Sequence, residues 1–491
     1  MAWRWLSLAL PAVLMLTGCG RSNEGALQVD FIDTPEGLFA NGIRLTPGAQ
    51  HLRAATDAGL VAFNAQGDVV PALADRWIVT DDGRSFIFRL REGKWPDGAE
   101  LTAESARAAL RRSINALDGT SLGLDLAPVS QVRAMAGRVV EIRLSSPVPA
   151  LLQILAQPEL ALSHGQSGDG SGEMRLVRNG DLATLTMKPP AERGIPEERE
   201  WQSFVRQIEL RPEDPKAAID RFDRGDVDVV LGGQVGALPL VDTGPLSRGT
   251  VRLEPAIGLF GMLVQRERGL LATDQGREAF AMAIDRPALI APFNIGGWVP
   301  TTRISAPGLP NDPGLVAERW GERTIEENRA IAAARVAAWR KANGGEEARL
   351  TISLARDPGL DALFYQLTQQ LGSVGIILDR APPGRQADLN LIDRVARYAE
   401  QRWFLNQFNC TLRHGLCEAE ADALVRDAVK QPDRIERDKL LAEAEVRLMQ
   451  ANIYIPFGSP LRFSLVRSNV EGFVANQWAF HPLPTLAQIP R

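Results

Sequence analysis

An α/β fold with more than one domain is predicted by three features of this 491-residue chain. Strand-like and helix-like segments alternate over most of its length, the pattern of sheets covered by helices. The length exceeds what one ordinary hydrophobic core organises. The run Val69 to Leu110 reads as a hairpin, a tight turn and a capped helix in fixed order. Composition agrees: 45% hydrophobic and 23% charged residues, without a long low-complexity tract, describe a globular chain. A net charge of −5 is mild for this size, and no basic run offers a path for DNA or RNA. Nucleic acid is therefore not an expected partner.

The N-terminus carries an address. Arg4 is a short positive region, and Leu6 to Leu16 is apolar but interrupted by Pro11. That run is too short to stay as a spanning helix, and no later segment is apolar enough to cross a bilayer. Leu16-Thr17-Gly18-Cys19 resembles the lipobox of bacterial lipoproteins. The resemblance implies a signal peptide over 1–18, lipidation at Cys19 and a polar tether over 19–25. An ordinary signal peptide with an incidental cysteine is the alternative. Two or three acyl chains anchor a protein stably where one would not. The expected location is the periplasm, held by a lipid anchor alone. Gly20, in place of the Asp associated with inner-membrane retention, keeps an outer-membrane anchor open.

Ala26 to Ile32 reads as the first strand, and Leu52 to Phe63 as a helix and strand. In the block that follows, Trp77, Val79, Phe86, Phe88 and Leu90 are apolar at near-alternate spacing. Asp81-Asp82-Gly83 supplies a hairpin turn and Pro96-Asp97-Gly98 a second turn. Thr102 caps a helix over Ala103 to Leu117, with Glu104 at the positive end of its dipole. Arg138 to Leu144 is a strand, and Ala150 to Ala156 a short helix. Gly165 to Gly172 lacks the spacing and the Lys of a phosphate-binding loop and reads as a surface loop. Strands follow at Met174 to Val177, Ala183 to Met187 and Phe204 to Leu210. A helix over Asp214 to Arg224 stops at Gly225, and Asp226 to Leu231 is a buried strand. Asp223, Asp226 and Asp228 lack an EF-hand's loop length and terminal Glu.

A second α/β series begins with a strand at Leu259 to Val264 and a helix over Gln275 to Ile290. Thr324 and Glu327 form a capping box for a helix that stops at Gly344-Gly345. A strand at Leu350 to Ala355, a helix over Leu360 to Val374, and strands at Ile376 to Leu378 and Asp388 to Ile392 suggest an independent second sheet. Two helices, Ala421 to Lys430 and Arg434 to Ala451, precede strands at Ile453 to Phe457 and Arg462 to Val466.

Catalytic constellations are not found. The four histidines form no HExxH, no serine sits in a GxSxG elbow, and no dinucleotide fingerprint opens a helix. Neither an enzymatic activity nor a cofactor is expected. Beyond Cys19 only Cys410 and Cys417 remain. In an oxidising compartment they suit a disulfide. A metal or redox pair is the alternative, but with His414 it would be an incomplete zinc site.

The wording of the Val69–Leu110 block resembles the signature of the family 5 extracellular solute-binding proteins, the oligopeptide- and dipeptide-binding components of ABC importers. Pro71-Ala72-Leu73-Ala74, Trp77, Asp81-Asp82-Gly83, Phe86, Phe88, Leu90-Arg91, Gly93, Trp95, Asp97-Gly98 and Leu101-Thr102-Ala103 fit; Ser105 stands where an acid is usual. Ala283-Ile284-Asp285-Arg286 is similar to a second element of that family. The resemblance implies a periplasmic-binding-protein type II-like Venus flytrap, two α/β lobes with an extra domain on the first. The first lobe would comprise 26–48, 151–256 and 461–491, the extra domain 49–150, and the second lobe 257–460. It further implies a monomer that captures a peptide-like or other small organic solute and passes it to a separate ABC permease with its ATPase subunits.

Peptide-binding relatives carry an Asp in the second lobe that meets the ligand ammonium. Aligning on Phe404-Leu405-Asn406 puts Arg397 at that position. An arginine there favours a carboxylate, phosphate or sulfonate; under another register it is a solvated helix residue. Trp298 and Trp403 are candidate aromatic cleft walls, with core packing as the alternative. Arg394 and Asp393 are neighbouring candidates, with surface pairing as theirs. The departure at Arg397 also leaves open an envelope lipoprotein that uses the fold as scaffold, sensor or chaperone without transport.

Overall fold

The structure, a computed structural model, describes residues 25–489 apart from 166–169, 243–248, 311 and 383. The expected signal peptide, Cys19, most of the tether and the centre of the Gly165–Gly172 loop lie outside the described residues.

Two mixed sheets dominate. The first has seven strands in the order Val251–Glu254, Arg462–Val466, Val229–Gln234, Leu27–Ile32, Ile208–Glu213, Leu182–Met187 and Met174–Asn179. Leu27–Ile32 runs parallel to both of its neighbours. Parallel pairing needs crossovers, and the helix Pro215–Arg224 supplies one. Asp214 accepts from the amides of Lys216 and Ala217 at its start, and Gly225 ends it at φ 86°. The second sheet has five strands: Ile376–Arg380, Ala348–Ser353, Leu389–Val395, Gly258–Val264 and Tyr454–Gly458. Its helices Asp274–Met282, Ile325–Ala342 and Pro358–Gly372 bury Phe280, Val336 and Leu367 against it.

The chain crosses between these sheets twice. Residues 255–257 lead from Val251–Glu254 into Gly258–Val264, and residues 459–461 lead from Tyr454–Gly458 into Arg462–Val466. Two short crossovers between two α/β lobes give a hinge. The fold is the two-lobed flytrap expected from the sequence.

The extra domain is a four-stranded antiparallel sheet, Ala74–Val79, Ser85–Leu90, Val139–Leu144 and Val129–Met135, with the helix Ala103–Ala116 against it. Phe86, Phe88 and Leu90 point into its core, whereas Val79 is 40% exposed and contributes little. The hairpin turn closes with Gly83 at φ 64°. Ser105 completes the capping box with Thr102, and Trp95 Nε1 donates to Ser105 Oγ at 2.9 Å. Ser105 thus satisfies the helix start without the usual acid.

Three expectations are corrected. The boundary between 48 and 49 cuts the continuous helix Pro47–Thr56, whose Leu52 and Ala55 pack into the first lobe. The helix over Gln275–Ile290 is two helices, Asp274–Met282 and Arg286–Ile290. Pro287 lacks the N–H a continuous helix needs, and Asp285 caps the second piece by accepting from Ala288 N. The strand placed at Phe204–Leu210 is Ile208–Glu213, because residues 204–206 pair with the C-terminal segment: Arg206 N donates to Ala487 O and Ile489 N to Phe204 O.

Candidate solute-binding site between the lobes

The strand Leu389–Val395 ends beside the first crossover, where Ala396 N donates to Ile257 O at 2.8 Å. Gly258 makes this approach feasible: a Cβ there would stand 2.1 Å from Arg394 O. The chain then runs as an irregular segment, 396–400, facing the short helix Leu151–Leu155 and the turn Pro158–Leu160 of the first lobe.

Arg397 crosses this gap. Its Nη2 donates to Glu159 Oε1 at 2.8 Å and its Nη1 to Gln157 Oε1 at 3.0 Å, while Gln157 Nε2 donates back to Arg397 O at 2.8 Å. The Glu159 side chain is 4% exposed and that of Arg397 27%. Gln50 Nε2 also donates to Glu159, at 3.3 Å. Ala399 N reaches Gln153 Oε1, and Ala150 N donates to Glu400 Oε1 at 2.8 Å. Arg397 is therefore neither a solvated helix residue nor a free guanidinium.

Positive charge accumulates beside it. Arg394 is exposed to solvent yet surrounded by protein, as a group lining a recess is; burial and then the charge of Arg397 pull its pKa down. Its Nη1 donates to Gln407 Oε1 at 2.5 Å. His414 is held below its ordinary value by burial, then by Arg394 and by Arg44 of the first lobe. The Cys410–Cys417 disulfide, Cα atoms 5.2 Å apart, closes the loop that presents His414. Arg394 and Arg397 thus neighbour each other on the second lobe, with Glu159 of the first lobe as the carboxylate that faces Arg397.

The other expected residues have different places. Asp393 pairs with Arg462 rather than with Arg394: Arg462 Nη1 lies 2.6 Å from Asp393 Oδ1. Arg462 opens the strand after the second crossover, so this pair spans the hinge. Burial raises the Asp393 pKa and Arg462 opposes that. Trp298 lies over the same crossover, donating from Nε1 to Ser459 O at 2.8 Å. It braces the hinge instead of forming an aromatic cleft wall. Trp403 is 1% exposed and packs edge-on against Phe404, with ring centroids 4.9 Å apart. It is core, because the helix Gln401–Asn406 is pressed against the extra-domain helix Ser121–Asp125. There Asn406 Nδ2 donates to Asp125 Oδ1 at 2.6 Å and Arg402 Nη2 to Asp125 O at 2.7 Å.

Gln157 and Glu159 were not singled out by the sequence. The only signal is two polar residues around Pro158, directly after the apolar run Leu151–Leu155. That pattern reads as an ordinary helix exit until the second lobe is placed opposite it.

Residues 68–192 match the model described as bacterial extracellular solute-binding proteins, family 5, middle. Over this segment the chain is similar to family 5. Among curated relatives, it is 26% identical to the "Probable deoxycholate-binding periplasmic protein YgiS" of Escherichia coli, with 84% of each chain covered. It is 20% identical to the dipeptide-binding protein DppE of Bacillus subtilis, covering 85% of this chain and 83% of the other. Among solved structures, Haemophilus influenzae OppA in complex with the peptide RPPGFSPFR superposes with a TM-score of 0.79 at 16% identity, over 96% of this chain and 100% of that one. This last likeness establishes the shared fold.

Proposed function

We propose that this chain is the solute-capturing component of an ABC importer, and that its solute is a small organic molecule with an anionic group. The solute binds between the lobes, lobe closure distinguishes loaded from empty protein, and the loaded form is presented to a separate permease and its ATPase. The match of residues 68–192 to the family 5 model and the likeness to curated solute-binding relatives support the transport role. The observation that carries the charge preference is Arg397, which reaches across the gap to Glu159 and Gln157 with Arg394 beside it.

A carboxylate in that gap accepts from Arg397 through the fork that now serves Glu159 and Gln157. A zwitterionic peptide satisfies both partners, with its carboxylate on Arg397 and its ammonium on Glu159. A bulky monoanion uses Arg397 alone. The relatives' names span these two chemistries, dipeptide and bile acid.

The assigned units are a first lobe with its attached domain, before residue 257 and after 460, and a second lobe over 257–460. Anchoring through diacylglyceryl-Cys19 would hold the protein at a membrane as a monomer. Mass spectrometry of small molecules released by denaturing natively purified protein tests the solute, followed by calorimetry with the released compound. Release of an organic anion supports the reading; a released cation, or a neutral solute whose affinity ignores Arg397→Ala, refutes its charge preference. A Cys19→Ala variant that still partitions with membranes would refute the anchor.

A further inference from the structure

A cavity in the first lobe adjoins the gap between the lobes, sharing Gln157 with it. It has a volume of about 350 Å³ and sits where the first lobe meets the extra domain. All its lining residues precede residue 257 or follow residue 460, so no part of the second lobe forms its wall. Filling it needs no lobe closure.

Most of the wall is apolar. Val61, Phe63 and Val70 come from the small hairpin Val61–Phe63/Val69–Pro71, and Phe480, Pro482 and Pro484 from the C-terminal segment. Among its charged residues, Asp57, Asp75, Glu173, Arg193 and Arg91, the last stands apart. Its backbone N–H donates to Leu73 O, but its half-buried guanidinium has no hydrogen bond or ion pair among the described residues. Burial lowers its pKa, and Glu173 is the charge that opposes this. Glu173 is already shared with Arg193 at 3.4 Å, and Arg193 also donates to Lys188 O. Of the other acids on the wall, Asp57 accepts from Thr56 Oγ1 at 2.8 Å and is pushed up by burial, and Asp75 is exposed. Gly194 leaves room for the Arg91 side chain: a Cβ there would stand 2.7 Å from Arg91 Cδ. A guanidinium without a partner at the edge of an apolar chamber is complementary to an amphipathic anion.

We propose that this cavity is a binding site for an amphipathic monocarboxylate, its apolar body against Phe63, Val70 and Pro482 and its carboxylate on Arg91.

Titration calorimetry of the full mature chain with decanoate tests this, with decanol as the uncharged control. Decanoate binds at one molecule per chain, and decanol binds about tenfold more weakly or less. Arg91→Gln weakens decanoate by about tenfold, whereas Arg91→Lys retains most of the affinity. Val70→Trp fills the chamber and removes binding with Arg91 intact. Arg397→Ala, which touches the cavity only through Gln157, weakens decanoate far less than Arg91→Gln, which separates this site from the interlobe gap. Thermal unfolding confirms that each variant is folded. Absence of wild-type binding up to millimolar decanoate overturns the proposal. So does equal affinity in Arg91→Gln and Val70→Trp, or loss of binding in Arg397→Ala.

Discussion

Arg397 of the second lobe and Glu159 of the first stand 2.8 Å apart across the gap between the lobes. The carboxylate is almost wholly buried and the guanidinium three-quarters so. Each therefore depends on the other for the interactions that water would supply. An entering anion must take Arg397 from Glu159, and the open protein must leave Glu159 to Gln50 alone.

Glu159→Gln should strengthen binding of an anionic solute, because the neutral amide competes less well for Arg397. The expected gain is about three- to tenfold by calorimetry, and Arg397→Ala should lose at least about tenfold. Equal affinities in wild type and both variants would remove the pair from the site.

The flytrap architecture was readable in the sequence, because it follows from local patterns: alternating apolar strands, Thr102 and Thr324 caps, and Gly225 as a helix stop. The site was less readable. Arg397 could be found because its segment carries recognisable neighbours, Phe404, Leu405 and Asn406. Its partners Gln157 and Glu159 lie some 240 residues away, and no periodicity links them. Trp403 misled for a physical reason. An aromatic beside a predicted binding loop is equally suited to a core, and the extra domain supplies that core through Leu122 and Leu126, which no local pattern announces.

Trp403→Ala should therefore act on stability, not on recognition. It empties a large volume where the extra domain meets the second lobe, at a cost of about 3–5 kcal/mol. Denaturant unfolding should show the loss. Solute affinity of the folded variant should change less than twofold or so, since the indole is out of a ligand's reach. A variant of native stability with weakened binding would restore Trp403 to the site.

Replacing Cys410 and Cys417 by Ala releases a loop whose ends are seven positions apart. The chain-entropy estimate gives a destabilisation of about 2–3 kcal/mol. Because the loop presents His414 beside Arg394, anion affinity should fall as well. Chemical denaturation under oxidising and reducing conditions checks the first effect: reduction should lower the midpoint of wild type and leave the double variant unmoved. Identical midpoints for wild type under both conditions would refute a structural contribution from the bond.

His51 should make the first lobe acid-sensitive. Its Nδ1 lies 2.6 Å from Pro47 O and its Nε2 3.0 Å from the amide nitrogen of His481. That amide can only donate, so Nε2 must be unprotonated and Nδ1 carries the proton. Adding a second proton would set two donors against each other in a fully buried site. Burial accordingly drives the His51 pKa to about 3, with the proximity of His481 acting in the same direction and the Pro47 carbonyl against it. A folded pKa below the unfolded value means that the unfolded chain binds the extra proton. The contribution of His51 is complete above about pH 6.5 and declines as pH falls from there towards 3. Asp30 and Asp125 act with the opposite sign: burial raises both to about 6, so their share is present at low pH and is lost as pH rises towards 6. The raw pH profile therefore mixes opposing slopes, and the informative quantity is the difference between wild type and His51→Gln. Urea unfolding at pH 7.5, 6 and 5 should show wild type losing its advantage over the variant as pH falls, by up to about 1.4 kcal/mol per pH unit. A difference that stays constant across that range would show that His51 is not held neutral by the fold.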